Sequence, residues 1–125
     1  MQRGFCELPI LPTLERKELM RIYIAGPYTK GDVAVNIREQ IKVADGLMDL
    51  GHNPYVPLLS HFQHLLFPRP YEDWTKNDLE WVKVCDCLIR LEGESAGADN
   101  EAAYAKELGI PVYYGVKEFV KASTI

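Results

Sequence analysis

Two acidic residues carry the most chemical promise in this chain. Glu101 closes the segment Ser95-Ala96-Gly97-Ala98-Asp99-Asn100-Glu101, a small-residue turn that follows the apolar run Cys87-Leu88-Ile89-Arg90-Leu91 and opens a helix. A carboxylate in the first turn of a helix meets unpaired backbone N–H groups and the positive end of the macrodipole, which favours its ionised form at neutral pH. An ionised carboxylate at the C-terminal end of a strand is what a retaining glycosyl-transfer reaction requires as its nucleophile. The plainer reading is a helix start stabilised by an acidic side chain. Asp78 shares a helical face with Trp74, Trp81 and Val82. Aromatic neighbours exclude water, raise a carboxyl's pKa and suit it to donate a proton. Its plainer reading is an exposed helical aspartate, and that of the two tryptophans is core packing.

The remaining candidates are weaker. Gly26-Pro27-Tyr28-Thr29-Lys30-Gly31 follows an apolar run and resembles a phosphate cradle in outline, but it matches neither G-x-x-x-x-G-K-[ST] nor G-x-G-x-x-G. An ordinary strand-to-helix turn explains it equally well. His61 and His64 are spaced for one helix face without a third ligand or a suitably placed Glu, so a binding-loop or packed surface histidine is expected there, and no metal. No G-x-S-x-G elbow is present, and Ser95 suits hydrogen bonding better than nucleophilic attack. The cysteines number three, an odd count without a disulfide framework. Cys85 and Cys87 flank Asp86 at a strand start, which predicts side chains on the same side and reduced, buried thiols. No cofactor is expected.

These residues need a scaffold, and the hydrophobic pattern predicts one. Strands are expected at Arg21–Ala25, Asn53–Val56, Asp86–Leu91 and Val112–Tyr114. Between them, Val33, Ile37, Ile41, Ala44, Leu47 and Met48 recur at helical spacing up to Gly51, and Glu72–Lys83 and Ala98–Leu108 also read as helices. A short terminal helix is expected over Lys117–Ala122. Residues 58–71, with Pro68 and Pro70, read as a long irregular connection holding one short helix, a common form for a functional lid. Short apolar strands alternating with helices predict an α/β fold: a three-layer α/β/α sandwich on a flavodoxin- or Rossmann-like parallel sheet of four to five strands. Ligands of such sheets bind beyond the C-terminal strand ends, where the loops 26–31, 57–71 and 93–101 converge.

Composition bounds the partners. The 125 residues suit a single domain over 20–125, preceded by an N-terminal extension over 1–19 that is loose or carries a surface helix at 13–19. A net charge of −4 argues against binding a nucleic-acid polymer but leaves small phosphorylated ligands open. No apolar stretch approaches the roughly 18 residues of a membrane span, and no signal-peptide layout opens the chain, so a cytoplasmic location and no membrane partner are expected.

Taken together, Ile22-Tyr23-Ile24-Ala25-Gly26-Pro27, Asn77-Asp78-Leu79 with Cys85-Asp86, Ser95-x-Gly97-x-x-x-Glu101, and Tyr104-Ala105 with Gly109 and Val112 resemble the nucleoside 2-deoxyribosyltransferase superfamily, which includes the 2′-deoxynucleoside 5′-phosphate N-hydrolases. The similarity runs from about Met20 to Val116 and rests on the order and spacing of all four motifs. It implies that Glu101 attacks the anomeric C1′, that Asp78 assists departure of the nucleobase, and that Tyr23 orients the nucleophile. It further implies that Gly26 and its loop, with Pro27, Tyr28 and Lys30, line the sugar or phosphate region. Ser95 and Gly97 match the loop that meets a 5′-phosphate, and Asp86 matches a recurrent, structural acidic position. Residues 27–32 depart from the arginine- and serine-bearing loop of the nucleotide hydrolases, which leaves Thr29 and Lys30 to take its place. The chain also ends earlier than the transferases, which use that end to complete a neighbour's site. The implied partner is a small-molecule nucleoside or nucleotide, and the implied assembly a homo-oligomer, dimer or tetramer. The competing reading is a non-catalytic nucleotide-binding or sensor domain of the same fold. A receiver-like domain fits poorly, since Ala25-Gly26-Pro27 and Leu91-Glu92 lack its acidic residues.

Overall fold

The central strand explains the layering. In β1 (Arg21–Ala25), Ile22 and Ile24 face one side and Tyr23 and Ala25 the other, and all four are buried. A strand apolar on both faces belongs in the middle of a parallel sheet covered on both sides. The computed structural model, which describes residues 19–123, places it there. β2 (Asn53–Tyr55), β1, β3 (Cys87–Arg90) and β4 (Val112–Tyr114) lie in the order β2-β1-β3-β4, all parallel. Tyr23 pairs with Tyr55 on one side and with Leu88 on the other. The chain leaves β1 to one side for β2 and to the other for β3, so β1 and β3 flank the topological switch point.

Helices α1 (Val33–Asp49) and α5 (Val116–Ser123) cover one face, where Ala44, Leu47 and Phe119 pack on Ile22, Ile24, Cys87 and Ile89. Helices α3 (Tyr71–Val84) and α4 (Ala96–Glu107) cover the other, where Val82, Ala98, Ala102 and Ala105 pack on Tyr23, Ala25 and Leu88. The alanines recur at i, i+4 and i+7 on the inner face of α4 and let its backbone lie close to the sheet. The fold is thus the expected α/β/α sandwich, with four strands among the described residues.

Local differences from the sequence reading have plain causes. The 57–71 connection is more ordered than expected: a 3₁₀ turn (Pro57–Leu59) runs into α2 (Ser60–Leu66), and α3 begins directly after Pro70. α4 starts two residues before the expected Ala98 because the Ser95 side chain caps it, accepting the Ala98 N–H at 3.1 Å. Cys85 and Cys87 do not share a side. Cys85 ends α3 and joins the α3/α4 core, whereas Cys87 lies in the strand and joins the α1/α5 core, so strand alternation does not relate them. Both thiols are free, and burial pushes them up, to about 11 for Cys85 and about 12 for Cys87. Asp86 ties the strands, accepting the Arg21 N–H on its carboxylate and donating its own N–H to the Arg21 carbonyl, each at 2.8 Å. The extension over residues 1–19 lies outside the described residues except at Leu19. Among the described residues, no helix is long and apolar enough to cross a membrane.

Candidate active site

Arg90 shapes the loop that leads to Glu101. This last residue of β3 is 8% exposed, so its charge must find partners inside the protein. Its guanidinium donates to Asp99 Oδ1 (3.1 Å from Nε, 2.8 Å from Nη2), to the Gly93 and Ser95 carbonyls at 2.9 and 3.4 Å, and to the Leu91 carbonyl. One side chain therefore pins the β3–α4 loop and the first turn of α4. Glu101, the sixth residue of α4, then stands beside the sheet-facing alanines and over the end of β1. The Tyr23 hydroxyl donates to Glu101 Oε2 at 2.7 Å across the sheet–helix interface.

Asp78 approaches from α3, with Oδ1 buried and unpartnered among the described residues. Behind the two carboxyls stands a column of rings. Tyr23 stacks on Tyr55 (centroids 5.4 Å apart, planes at 29°), and Tyr55 stacks on Trp81 (5.2 Å, 17°). Trp74 is held separately, its indole N–H donating to His64 Nδ1 at 2.9 Å. The same nitrogen accepts the Arg69 N–H at 3.2 Å and so fixes the turn between α2 and α3.

This enclosure sets the protonation chemistry. Burial pushes Asp78 up to about 7. Burial also pushes Glu101 up to about 8, with the Asp78 charge adding to the rise, while the Tyr23 hydrogen bond and Arg90 pull the other way. The expectation that a helix start keeps Glu101 ionised at neutral pH is therefore corrected. Because α4 begins at Ala96, Glu101 sits in the second turn, away from the free N–H groups, and desolvation dominates. Tyr23 is driven far above the ordinary phenol value by burial and by Glu101, so it remains a hydrogen-bond donor. Two buried carboxyls in one cleft lose their protons in two steps that belong to the pair. The order of the two values would leave the last proton on Glu101, but the fixed donors favour the reverse. Glu101 has the Tyr23 hydroxyl and the Arg90 charge, and Asp78 Oδ1 has none. A negative charge on Glu101 is the one this site can hydrogen-bond, and with that charge there the pair's remaining proton lies on Asp78.

Both carboxyls open onto a cleft of about 560 Å³ at the C-terminal ends of the strands, within the range of small-molecule sites. Of the sequence candidates, Gly26, Tyr28, Lys30, His61, Ser95 and Gly97 line it with Asp78 and Glu101. Tyr28 and His61 are coupled through a 2.6 Å hydrogen bond between the hydroxyl and Nδ1. Lys30 Nζ lies 3.7 Å from Glu94 Oε2 with both side chains in solvent, a pair that restrains Lys30 little. Gly97 makes room for Tyr71, whose hydroxyl would stand 3.1 Å from a Cβ there. Two candidates lie elsewhere. Tyr23 sits beneath the cleft and reaches it only through Glu101. Pro27 is not among the lining residues and instead presses on Gly93, where a Cβ would come 2.6 Å from Pro27 Cγ and where φ is +120°. The sequence reading placed Arg69, Tyr71 and Asn100 at the site only through their loops, missed Gln40 and Thr75 as lining residues, and missed Arg90 as the organiser beneath them. An arginine inside an apolar strand run was the one available signal, since such a charge demands buried acceptors. Among the described residues, no group of three His, Cys, Asp or Glu side chains could hold a metal ion.

In architecture this parallel α/β/α sandwich is nucleoside 2-deoxyribosyltransferase-like. The chain belongs to the family described as Domain of unknown function (DUF4406), whose model matches residues 20–114. Among solved structures it is similar to a 2-deoxyribosyltransferase from the psychrotolerant bacterium Bacillus psychrosaccharolyticus. The identity is 25% and the TM-score 0.55, over 74% of this chain and 69% of that one. No curated protein matches by sequence.

Proposed function

We propose that this protein cleaves or transfers the N-glycosidic bond of a nucleoside, deoxynucleoside or 5′-monophosphate through a glycosyl-enzyme ester on Glu101. One observation carries the reading: α3 and α4 bring two partly buried carboxyls to one cleft, and only one of them is held by fixed donors. In the first step Glu101 attacks C1′ as the C1′–N bond to the base breaks, and the departing nitrogen takes the Asp78 proton. Positive charge building on the sugar ring faces the Glu101 carboxylate, whose position is set before the reaction begins. In the second step water, or a second base, attacks C1′. Asp78, now ionised, accepts the proton of the attacking group and the ester breaks, with net retention. The likeness to a 2-deoxyribosyltransferase supports this chemistry over a passive nucleotide sensor of the same fold. The deciding experiment incubates the protein with a panel of nucleosides and 5′-monophosphates and follows free base by chromatography. Release of base from at least one class supports the reading, whereas tight binding without release points to the sensor.

Tyr23→Phe tests the positioning of the nucleophile. A hydrogen bond to a charged group contributes about 1.5–3 kcal/mol, so kcat should fall roughly 10- to 100-fold with KM little changed. The acidic limb of the pH–rate profile should also move to higher pH, because the group lowering the Glu101 pKa is gone. An unchanged profile would assign Tyr23 a packing role only.

Self-association follows from the same reading. Phe62, Leu65 and Leu66 of α2 and the adjoining Phe67 are all more than half exposed, a cluster suited to burial against another copy. Light scattering should give a mass of at least two chains, and a monomer at all concentrations would remove this part of the proposal.

A further inference from the structure

Gln40 is a polar residue placed where an apolar one would pack. It lies on the inner face of α1 with Ile37, Ala44 and Leu47, and is 1% exposed. Its Oε1 accepts the Leu58 N–H at 3.3 Å. A backbone N–H can only donate, so this contact fixes which end of the carboxamide is oxygen. The other end, Nε2, is buried and has no partner among the described residues. A buried donor left unpaired costs about 1–3 kcal/mol.

The position of Nε2 suggests what satisfies it. A Cβ on Gly26 would come within 3.5 Å of Nε2, and both residues line the cleft. With no side chain at Gly26, the amide lies close beneath the cleft surface. Gln40 belongs to the helix layer that covers Ile22 and Ile24, whereas Glu101 belongs to the layer over Tyr23. The cleft runs between them across the end of β1. With C1′ at Glu101, a nucleoside lying along the cleft with its base toward Gly26, where the family resemblance would instead put the sugar or phosphate, would set that base beside Gln40. The walls there are Gly26, Pro57 and Leu58, apolar surfaces suited to the faces of a flat ring.

We propose that Gln40 reads the nucleobase, donating a hydrogen bond from Nε2 to a ring carbonyl oxygen and so selecting oxo-bearing over amino-bearing bases. This inference rests on the N-glycosidase reading of the cleft. With Oε1 committed to Leu58, the side chain presents only a donor. An exocyclic amino group would meet it donor to donor, and a site built to pair with one polar group rejects the analogue lacking it.

The test is calorimetric titration of the wild-type protein with free hypoxanthine, unsubstituted purine and adenine, repeated on Gln40→Met and Gly26→Ala. Hypoxanthine should bind about tenfold more tightly than either of the others, the worth of one buried hydrogen bond. Gln40→Met, which removes the donor, and Gly26→Ala, which roofs it over, should each erase that difference; melting curves confirm that both variants fold. In turnover, Gln40→Met should shrink the kcat/KM preference for 2′-deoxyinosine over 2′-deoxyadenosine about tenfold. Adenine binding as well as hypoxanthine to the wild type, or no binding of either base, overturns the proposal even if neither variant folds. So does an equal loss for both substrates in Gln40→Met. A wild-type preference for hypoxanthine that Gln40→Met erases, with no base released from any nucleoside, would instead sink the glycosidase reading and leave the base-reading role standing.

Discussion

Glu101→Gln should fold, bind nucleoside and release base at least about 10³-fold more slowly than the wild type, the scale of loss when a covalent nucleophile is removed. The amide keeps an oxygen to accept the Tyr23 hydroxyl but cannot form the glycosyl ester. Single-turnover chromatography reads the result directly, and a variant releasing base at the wild-type rate ends the nucleophile assignment. The same substitution should make the protein more stable at mildly alkaline pH. Burial raises the Glu101 carboxyl well above its ordinary 4.5 on folding, so between its unfolded and folded values the folded state holds more proton than the unfolded state. Stability therefore falls as pH rises across that window, and the loss is complete above the folded value. A glutamine has no proton to lose. The melting temperature of Glu101→Gln should thus exceed that of the wild type near pH 8 and approach it near pH 4.5. The opposite order would mean that the carboxylate is better solvated than its burial implies.

Asp78→Asn should cost about 10²- to 10⁴-fold in the rate of base release, the usual contribution of a positioned general acid. Two further readouts separate that role from a structural one. The wild-type pH–rate profile should be a narrow bell, because the active form carries one proton on the carboxyl pair. Its limbs should fall near about 7 and about 8, values that belong to the pair. Asp78→Asn removes the proton lost on the alkaline side, so that limb should disappear. A substrate whose base departs readily without protonation should also lose much less rate than an ordinary nucleoside. An equal loss for both substrates, with the alkaline limb intact, would show that Asp78 does not deliver the proton.

The sequence was most readable where pattern and packing agree. The unbroken apolar run Ile22-Tyr23-Ile24-Ala25 and the helical spacing from Val33 to Leu47 leave few alternatives, and the sheet followed from them. Asp78 was legible as a desolvated acid because Trp74 and Trp81 share its helix. Glu101 was found for a partly mistaken reason. Its place in the chain suggested a helix's first turn, but the Ser95 cap starts the helix two residues earlier and puts it in the second, and a cap's register depends on a hydrogen bond that composition does not specify. Gln40 and Arg90 were hidden for another reason. Each is one polar residue in an apolar pattern, and its meaning comes from partners such as Leu58 and Asp99 that only the folded chain supplies. Pro27 was assigned to the ligand with the rest of its loop through the family resemblance, whereas its ring packs on Gly93 in the loop after β3.

That last contact bears on how this scaffold can be altered. The Pro27 ring fills the space a side chain at position 93 would need, and the backbone at 93 adopts a conformation that residues with a Cβ resist. The two segments behave as interlocking halves. A chimera that grafts one of them from a homologue, without its counterpart, leaves either a collision or a hole at the seam. Diversified libraries built on this protein should therefore exchange residues 26–31 and 91–95 as a single cassette.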